Sequence, residues 1–275
     1  MLRLECRSYT YPGARVAALR EIDLVVPHGG VVGVVGANES GKSSLCLVAS
    51  GMAPGVVGGA LEGRLEIDGE TMTGRPVFEI AQRVGLGLAN PVSQLSGQTL
   101  TVFEEVALGP MNLGLDAART VQRVEAALAA VRIGHLALQP PTELSGGETQ
   151  LVVIAGLLAM EPSHLILDEP TSELDPIGTR LVAEVLHELA HRGTALLIVE
   201  HRTDLLDGLC DRIVVMDSGR IVDEGPAETI LGQPGIADRG IEPPARFRLS
   251  RALEAAGGAV GPGSLRQALG GWPHP

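Results

Sequence analysis

The octet Gly36-Ala-Asn-Glu-Ser-Gly41-Lys42-Ser43 constrains this chain more than any other stretch. It follows a β-branched run, Val31-Val-Gly-Val-Val35, and opens a segment, Ser43 to Ser50, that reads as the start of a helix. A strand, a glycine-rich loop and a helix in that order turn backbone N–H groups toward phosphate oxygens and put the positive end of the helix dipole at the same place. Lys42 is then expected to meet the β- and γ-phosphates of a nucleotide and Ser43 a Mg²⁺ ion, with Gly36, Asn38, Ser40, Gly41 and Ser44 completing the cradle. Glu39 is the awkward member. Its carboxylate would repel phosphate, so its side chain is expected to point away from the nucleotide.

Similar apolar runs recur at Leu165-Ile-Leu167, Ala195-Leu-Leu-Ile-Val199 and Ile213-Val-Val-Met216, as buried central strands do. Between them, Asp116 to Val131 and Gly178 to His191 carry apolar residues at helical spacing, for example Val121, Val124, Leu128 and Val131. An α/β layered fold follows. Pro91, Pro110, Pro140 and Pro141 interrupt the stretch from Ala89 to Glu143, which has no strong strand and is expected to be an inserted helical subdomain. After Gly225 the chain turns rich in Gly and Pro, with one helical candidate around Arg246 to Ala256, and is read as an appended tail.

Composition excludes several partners. A formal charge of -12 and a pI of about 5.0 leave no overall basic surface for a phosphate backbone, so nucleic acid is not expected as a partner. Cys6, Cys46 and Cys210 stand far apart with no CxxC spacing, against both a disulfide framework and a structural zinc site, and are expected to be buried apolar residues in a reducing compartment. Mean hydropathy is +0.22, yet the longest apolar stretch, Leu151 to Met160, is about half the ~20 residues that a spanning helix needs. The first residues alternate like a strand and carry no apolar run of signal-peptide length. Membrane contact is expected only through a partner.

His164-Leu-Ile-Leu-Asp168-Glu169 delivers two adjacent acids from the end of an apolar strand, where α/β proteins hold their ligands. Asp168 would hold Mg²⁺, directly or through water, and Glu169 would orient or deprotonate the attacking water.

Leu144-Ser-Gly-Gly-Glu148, standing after the phosphate loop and before the acidic strand, resembles the signature of ATP-binding cassette (ABC) ATPases. The resemblance covers roughly residues 2 to 230 and implies a P-loop NTPase cassette: a RecA-like nucleotide-binding core (1–88 and 144–230), an inserted helical subdomain (89–143) and a C-terminal extension (231–275). It implies ATP and Mg²⁺ as cofactors. It also implies a head-to-tail dimer in which Ser145, Gly146, Gly147 and Glu148 of one chain cap ATP bound to the other. Tyr11, ahead of the first cassette strand, resembles the aromatic that stacks on adenine. Asp175, in Ser172-Glu-Leu-Asp175, resembles the D-loop acid at the dimer interface, and His201 resembles the switch histidine that contacts the γ-phosphate.

Two positions depart from the family pattern. Ala89, in Val84-Gly-Leu-Gly-Leu-Ala89, stands where members carry a Gln that touches Mg²⁺, and a methyl group cannot ligate a hard cation. Weakened metal coordination or coupling is expected, with Gln94 the candidate to reach inward instead. Leu151 stands where Arg or Lys is usual.

Asn90-Pro-Val-Ser-Gln94, followed by Thr101-Val-Phe-Glu-Glu-Val-Ala-Leu-Gly-Pro-Met-Asn-Leu-Gly114, resembles the energy-coupling factor ATPases. Val199-Glu-His-Arg202 and Ile241-Glu-Pro-Pro-Ala-Arg-Phe-Arg-Leu-Ser250 look like the same group. That resemblance implies a motor on the cytoplasmic face of the cell membrane, importing a vitamin, a vitamin precursor or a transition metal. The implied partners are a transmembrane scaffold docked near Gln94 to Glu105, a substrate-binding membrane protein, and a second cassette, identical or different. Read alone, Thr101 to Glu105 is a helix start with capping residues. The competing readings are a soluble, non-transport ABC ATPase and a weakly hydrolysing nucleotide-binding regulator.

Overall fold

Strand pairing divides the molecule into two sheets. The structure, a computed structural model, describes residues 1–255. The strands are β1 (Leu2–Thr10), β2 (Leu19–Val26), β3 (Val31–Val35), β4 (Ala60–Ile67), β5 (Glu70–Thr71), β6 (Val84–Gly87), β7 (His164–Asp168), β8 (Ala195–Val199), β9 (Arg212–Asp217) and β10 (Arg220–Pro226). The helices are α1 (Lys42–Ala49), α2 (Met52–Gly55), α3 (Val77–Ile80), α4 (Val102–Asn112), α5 (Ala117–Ala130), α6 (Gly146–Ala159), α7 (Pro176–His191), α8 (Thr203–Leu206), α9 (Ala227–Leu231) and α10 (Ala245–Ala255). The helical candidate at Arg246 to Ala256 thus lies within α10 except for Ala256, which with the rest of the chain falls outside the described residues.

The core sheet has the order β10-β9-β3-β8-β7-β6, and all its pairs are parallel except β9 with β10. Every residue of β3, β7 and β8 is buried, which is why those segments read as unbroken apolar runs: helices or a second sheet cover both faces. The second sheet, β2-β1-β4-β5, is antiparallel, and along β1 Leu2, Leu4 and Cys6 point inward while Glu5 and Arg7 stay exposed. Tyr11 therefore follows β1 instead of preceding the first strand.

One core lies under α4 to α7, the other between the two sheets around α1. The apolar stretch from Leu151 belongs to α6, where Leu151, Val152, Val153, Ile154 and Ala155 are buried in succession. A helix apolar on all sides needs cover on all sides, and α4, α5, α7 and β6 supply it. Leu151 is thus core packing, and the helices inserted after β6 share that core with α6. Cys6, Cys46 and Cys210 are buried free thiols.

The segment after β10 folds back onto the core. Ile236 and Ile241 are buried in it, Thr203 donates to the Glu242 carbonyl, and Arg246 pairs bidentately with Asp207 at 2.5 and 2.8 Å. A Cβ built on Gly240 would come 3.1 Å from that of Ala37, so the tail passes close to the glycine-rich loop. No helix among the described residues is long and apolar enough to cross a membrane.

Candidate functional site

The parallel strands aim their C-terminal ends at one edge of the core sheet, and four of the motifs singled out in the sequence start there. β3 runs into the glycine-rich loop, β7 into Asp168 and Glu169, β8 into Glu200 and His201, and β6 into the segment 88–94.

In the loop, Gly41 has φ +103°, a conformation that L side chains rarely adopt, and a Cβ on Gly36 would stand 2.3 Å from the Met216 carbonyl oxygen. Glycine is required at both positions for different reasons, conformation at one and space at the other. Glu39 is exposed, as expected of a carboxylate that has to avoid phosphate. Lys42 begins α1 and is buried, its Nζ donating to the carbonyls of Gly36 at 3.0 Å and Ala37 at 2.8 Å. Burial pushes the Lys42 pKa down, against the opposing pull of Glu169 and Asp168.

Asp168 is buried, and burial raises its pKa while a hydrogen bond from Ser43 lowers it. Its Oδ1 and the Ser40 hydroxyl are buried without a hydrogen-bond partner. Two orphaned polar oxygens beside a buried lysine belong to a surface built for a polar, charged guest. Glu169 follows in the left-handed region, φ +52°, and its Oε1 stands 3.1 Å from His201 Nε2. Non-glycine residues hold that conformation when the surroundings enforce it, here through Glu169 N–H donating to the Val199 carbonyl and Ser172 N–H donating to the Glu169 carbonyl.

Sequence reasoning passed over Glu200. This side chain is 1% exposed and gathers four donors. Thr171 gives its N–H at 2.9 Å and its hydroxyl at 2.6 Å to Oε1, while the His201 and Arg202 N–H groups reach Oε2 at 3.2 and 3.5 Å. Burial pushes the Glu200 pKa up, and the hydrogen bonds from Thr171 and Arg202 hold it back. Glu200 thus ties the turn after Glu169 to the segment that carries His201. Its signal was visible, an acid directly after the five apolar residues of β8.

Tyr11 is half-buried, with its hydroxyl 2.9 Å from Ser44 Oγ and its ring edge-on to Tyr9 at 4.9 Å. Asp175 caps α7 by accepting from Gly178 N–H at 2.6 Å. Gln94, the other candidate metal ligand, is engaged by its own backbone. Its Oε1 accepts from Leu88 N–H at 2.6 Å and its Nε2 donates to the Leu86 carbonyl at 3.2 Å, so the amide fastens the segment after β6 to the end of that strand.

Ser145 caps α6 within a capping box: its hydroxyl and N–H both donate to Glu148 Oε2, at 2.7 and 2.8 Å, and Glu148 N–H returns a bond to Ser145 Oγ. The Ser145 hydrogen bonds hold the Glu148 carboxyl below its usual range. A Cβ on Gly147 would meet Gly178 Cα at 2.6 Å, so the N-terminal turns of α6 and α7 touch backbone to backbone. Gly147→Val is expected to push the helices apart, lowering stability by about 1–3 kcal/mol and weakening ATP hydrolysis through the displaced N-terminus of α6. Thermal unfolding together with steady-state ATPase checks this, and unchanged values in both would remove the contact from the account.

Comparison with known proteins decides the family. The family described as ABC transporter matches residues 19–172, more than half of the chain. The chain belongs to the ABC transporter family. As the ATP-binding member of such a system, it binds ATP and hydrolyses it to power transport. It is 38% identical over 261 residues to the energy-coupling factor transporter ATP-binding protein EcfA of Methanosarcina acetivorans, covering 94% of this chain and 92% of that protein. Against the cobalt import ATP-binding protein CbiO of Rhodobacter capsulatus it is 39% identical over 249 residues, 89% of this chain and 85% of the relative. Among solved structures, cbiO1 from Clostridium perfringens, part of the ABC transporter complex cbiONQ, superposes with a TM-score of 0.76 at 28% identity, covering 93% of this chain and 98% of that one. The ABC cassette fold expected from the signature and the glycine-rich loop is the fold this chain has.

Proposed function

We propose that this chain is the motor of a membrane importer of the energy-coupling factor type, working as one half of a cassette dimer. The observation that carries the reading is the convergence at one sheet edge of Lys42, the Asp168 carboxylate with its unpartnered Oδ1, and the Glu169–His201 pair at 3.1 Å. Nucleotide phosphates would lie along the loop, drawing Lys42 off the Gly36 and Ala37 carbonyls, with the Ser40 hydroxyl as a further donor and Tyr11 beside the base.

The residues present fit a magnesium ion, because Ser43 and Asp168 offer oxygen donors and Asp168 Oδ1 is buried with nothing to bind. Mg²⁺ held there would neutralise charge developing on the phosphate oxygens. Glu169 would accept the proton of the attacking water, and His201, held by Glu169 on one side and Glu200 on the other, would face the terminal phosphate. Ser145, Gly146 and Gly147 at the N-terminus of α6 would cap the partner chain's ATP. There the helix dipole favours an anion. Ala89 contributes no oxygen, and Gln94 keeps its own for Leu88. The phosphate signal therefore reaches the helical layer through backbone anchored at Leu86 and Leu88.

Docking of a transmembrane scaffold is supported by the exposure of Val92 at 65% and Leu100 at 78%, flanking the loop that Glu105 pins through Ser96 and Thr99. Such apolar side chains on a polar surface suit the insertion of a short helix from a membrane partner. The test is affinity purification of the tagged chain from its native membranes in ATP, as wild type and as Glu169→Gln. Recovery of a polytopic scaffold together with a small substrate-binding membrane protein is the expected result. Recovery of soluble proteins alone would overturn the importer reading and leave the ATPase standing.

A further inference from the structure

At the opposite edge of the core sheet, three separate segments bring His28, Asp68 and His164 together. His28 lies in the turn between β2 and β3, Asp68 in the turn between β4 and β5, and His164 opens β7. One ligand-type atom from each lies within 4.8 Å of the others. His28 Nε2 is 3.0 Å from Asp68 Oδ1, and the two imidazole rings are 5.4 Å apart between centroids.

His164 is 1% exposed. Its Nδ1 lies 3.0 Å from Ser163 Oγ, and its buried Nε2 has no hydrogen-bond partner. Burial drives its pKa down to about 4, with the Met1 α-amino charge adding to the shift and the Val26 backbone beside the ring opposing it.

Positive charge is drawn to this spot. The Met1 α-amino group sits 2.6 Å from Asp68 Oδ1 and also touches His28 Nε2, and Arg83 approaches the other Asp68 oxygen at 3.8 Å. An ordinary ion-pair cluster accounts for the acid and its cations. It leaves unexplained the buried His164 Nε2, which has no hydrogen-bond partner.

We propose that His28, Asp68 and His164 form a binding site for one divalent transition-metal ion of the zinc, cobalt and nickel class. Two imidazoles and a carboxylate are donors that those ions accept, whereas magnesium and calcium favour oxygen alone. Ser163 on Nδ1 is then the outer contact that orients the His164 ring, leaving Nε2 for the metal. The ion takes the place of the Met1 ammonium between His28 and Asp68. It clips the β2-β1-β4-β5 sheet to the start of β7, about 13 Å along that strand from Asp168 at ~3.3 Å per residue.

The test is equilibrium dialysis of the untagged, full-length protein against Zn²⁺ or Co²⁺ in millimolar Mg²⁺ and ATP, with metal counted by mass spectrometry and Co²⁺ followed by its visible absorption. Wild type is expected to bind one ion per chain, to show Co²⁺ bands of imidazole ligation and to unfold at a higher temperature when loaded. His28→Ala and Asp68→Asn, both at exposed positions, are each expected to weaken binding by about tenfold or more and to leave metal-free ATPase activity unchanged. Absence of saturable binding in wild type overturns the site. So does binding that neither substitution alters, or that is lost in Asp168→Asn instead, since the ion would then sit among the nucleotide residues.

Discussion

Glu169→Gln is expected to lower the ATPase rate of the assembled transporter by about 10²–10⁴-fold, the range a positioned general base contributes, with nucleotide affinity close to that of wild type. Glu169 Oε1 faces His201 Nε2 at 3.1 Å, while Lys42, which would supply much of the affinity, is hydrogen-bonded to the Gly36 and Ala37 carbonyls and not to that pair. Gln is nearly isosteric and keeps an acceptor oxygen toward His201, so the left-handed turn at 169 should survive. What disappears is the capacity to take a proton. Equilibrium binding of a fluorescent ATP analogue and single-turnover hydrolysis separate the two effects. Size-exclusion chromatography in ATP adds a third reading, since a cassette that binds but does not hydrolyse is expected to accumulate as a dimer. A rate within a few-fold of wild type would remove Glu169 from the proton-accepting role.

The features that were legible in the sequence share a physical character. β3, β7 and β8 are buried on both faces and had to be written as apolar runs, and α5 and α7 each expose one face and had to be written at helical spacing. The glycine-rich loop was legible because a positive φ at Gly41 and a backbone approach at Gly36 admit no other residue. β4 was hidden, its pattern broken by Gly63, where a Cβ would stand 2.3 Å from the Glu5 carbonyl oxygen. β6 carries Gly85 and Gly87 beneath Leu157, and a strand with so little side chain gives no apolar signal. The role of Gln94 could not be read at all. Whether a glutamine faces a metal or its own backbone depends on where β6 ends, and nothing in Asn90-Pro-Val-Ser-Gln94 states that.

The same reasoning explains why Glu200 escaped notice and why it matters. An acid after an apolar strand is usually solvated, but here the strand lies between β3 and β7, and the residue after its last position is still inside the protein. Glu200→Ala strips the acceptor from Thr171 N–H and Oγ and from the His201 and Arg202 N–H groups. Leaving buried donors without an acceptor in this way costs about 1–3 kcal/mol for each donor that water cannot reach, and for a chain of this size the unfolding midpoint should fall on the order of 10 °C. The second consequence is kinetic. His201 and the turn bearing Glu169 are both anchored to Glu200, and misplacement of reacting groups by about 1 Å costs on the order of 10²-fold in rate. Well below the unfolding transition, kcat should therefore drop with little change in KM. Glu200→Gln, which keeps one acceptor oxygen for Thr171 but turns an amide NH₂ toward two N–H donors, should recover part of the stability and little of the rate. A merely structural Glu200 would give the lowered midpoint with a normal kcat at low temperature, and that outcome would separate fold maintenance from the positioning of His201.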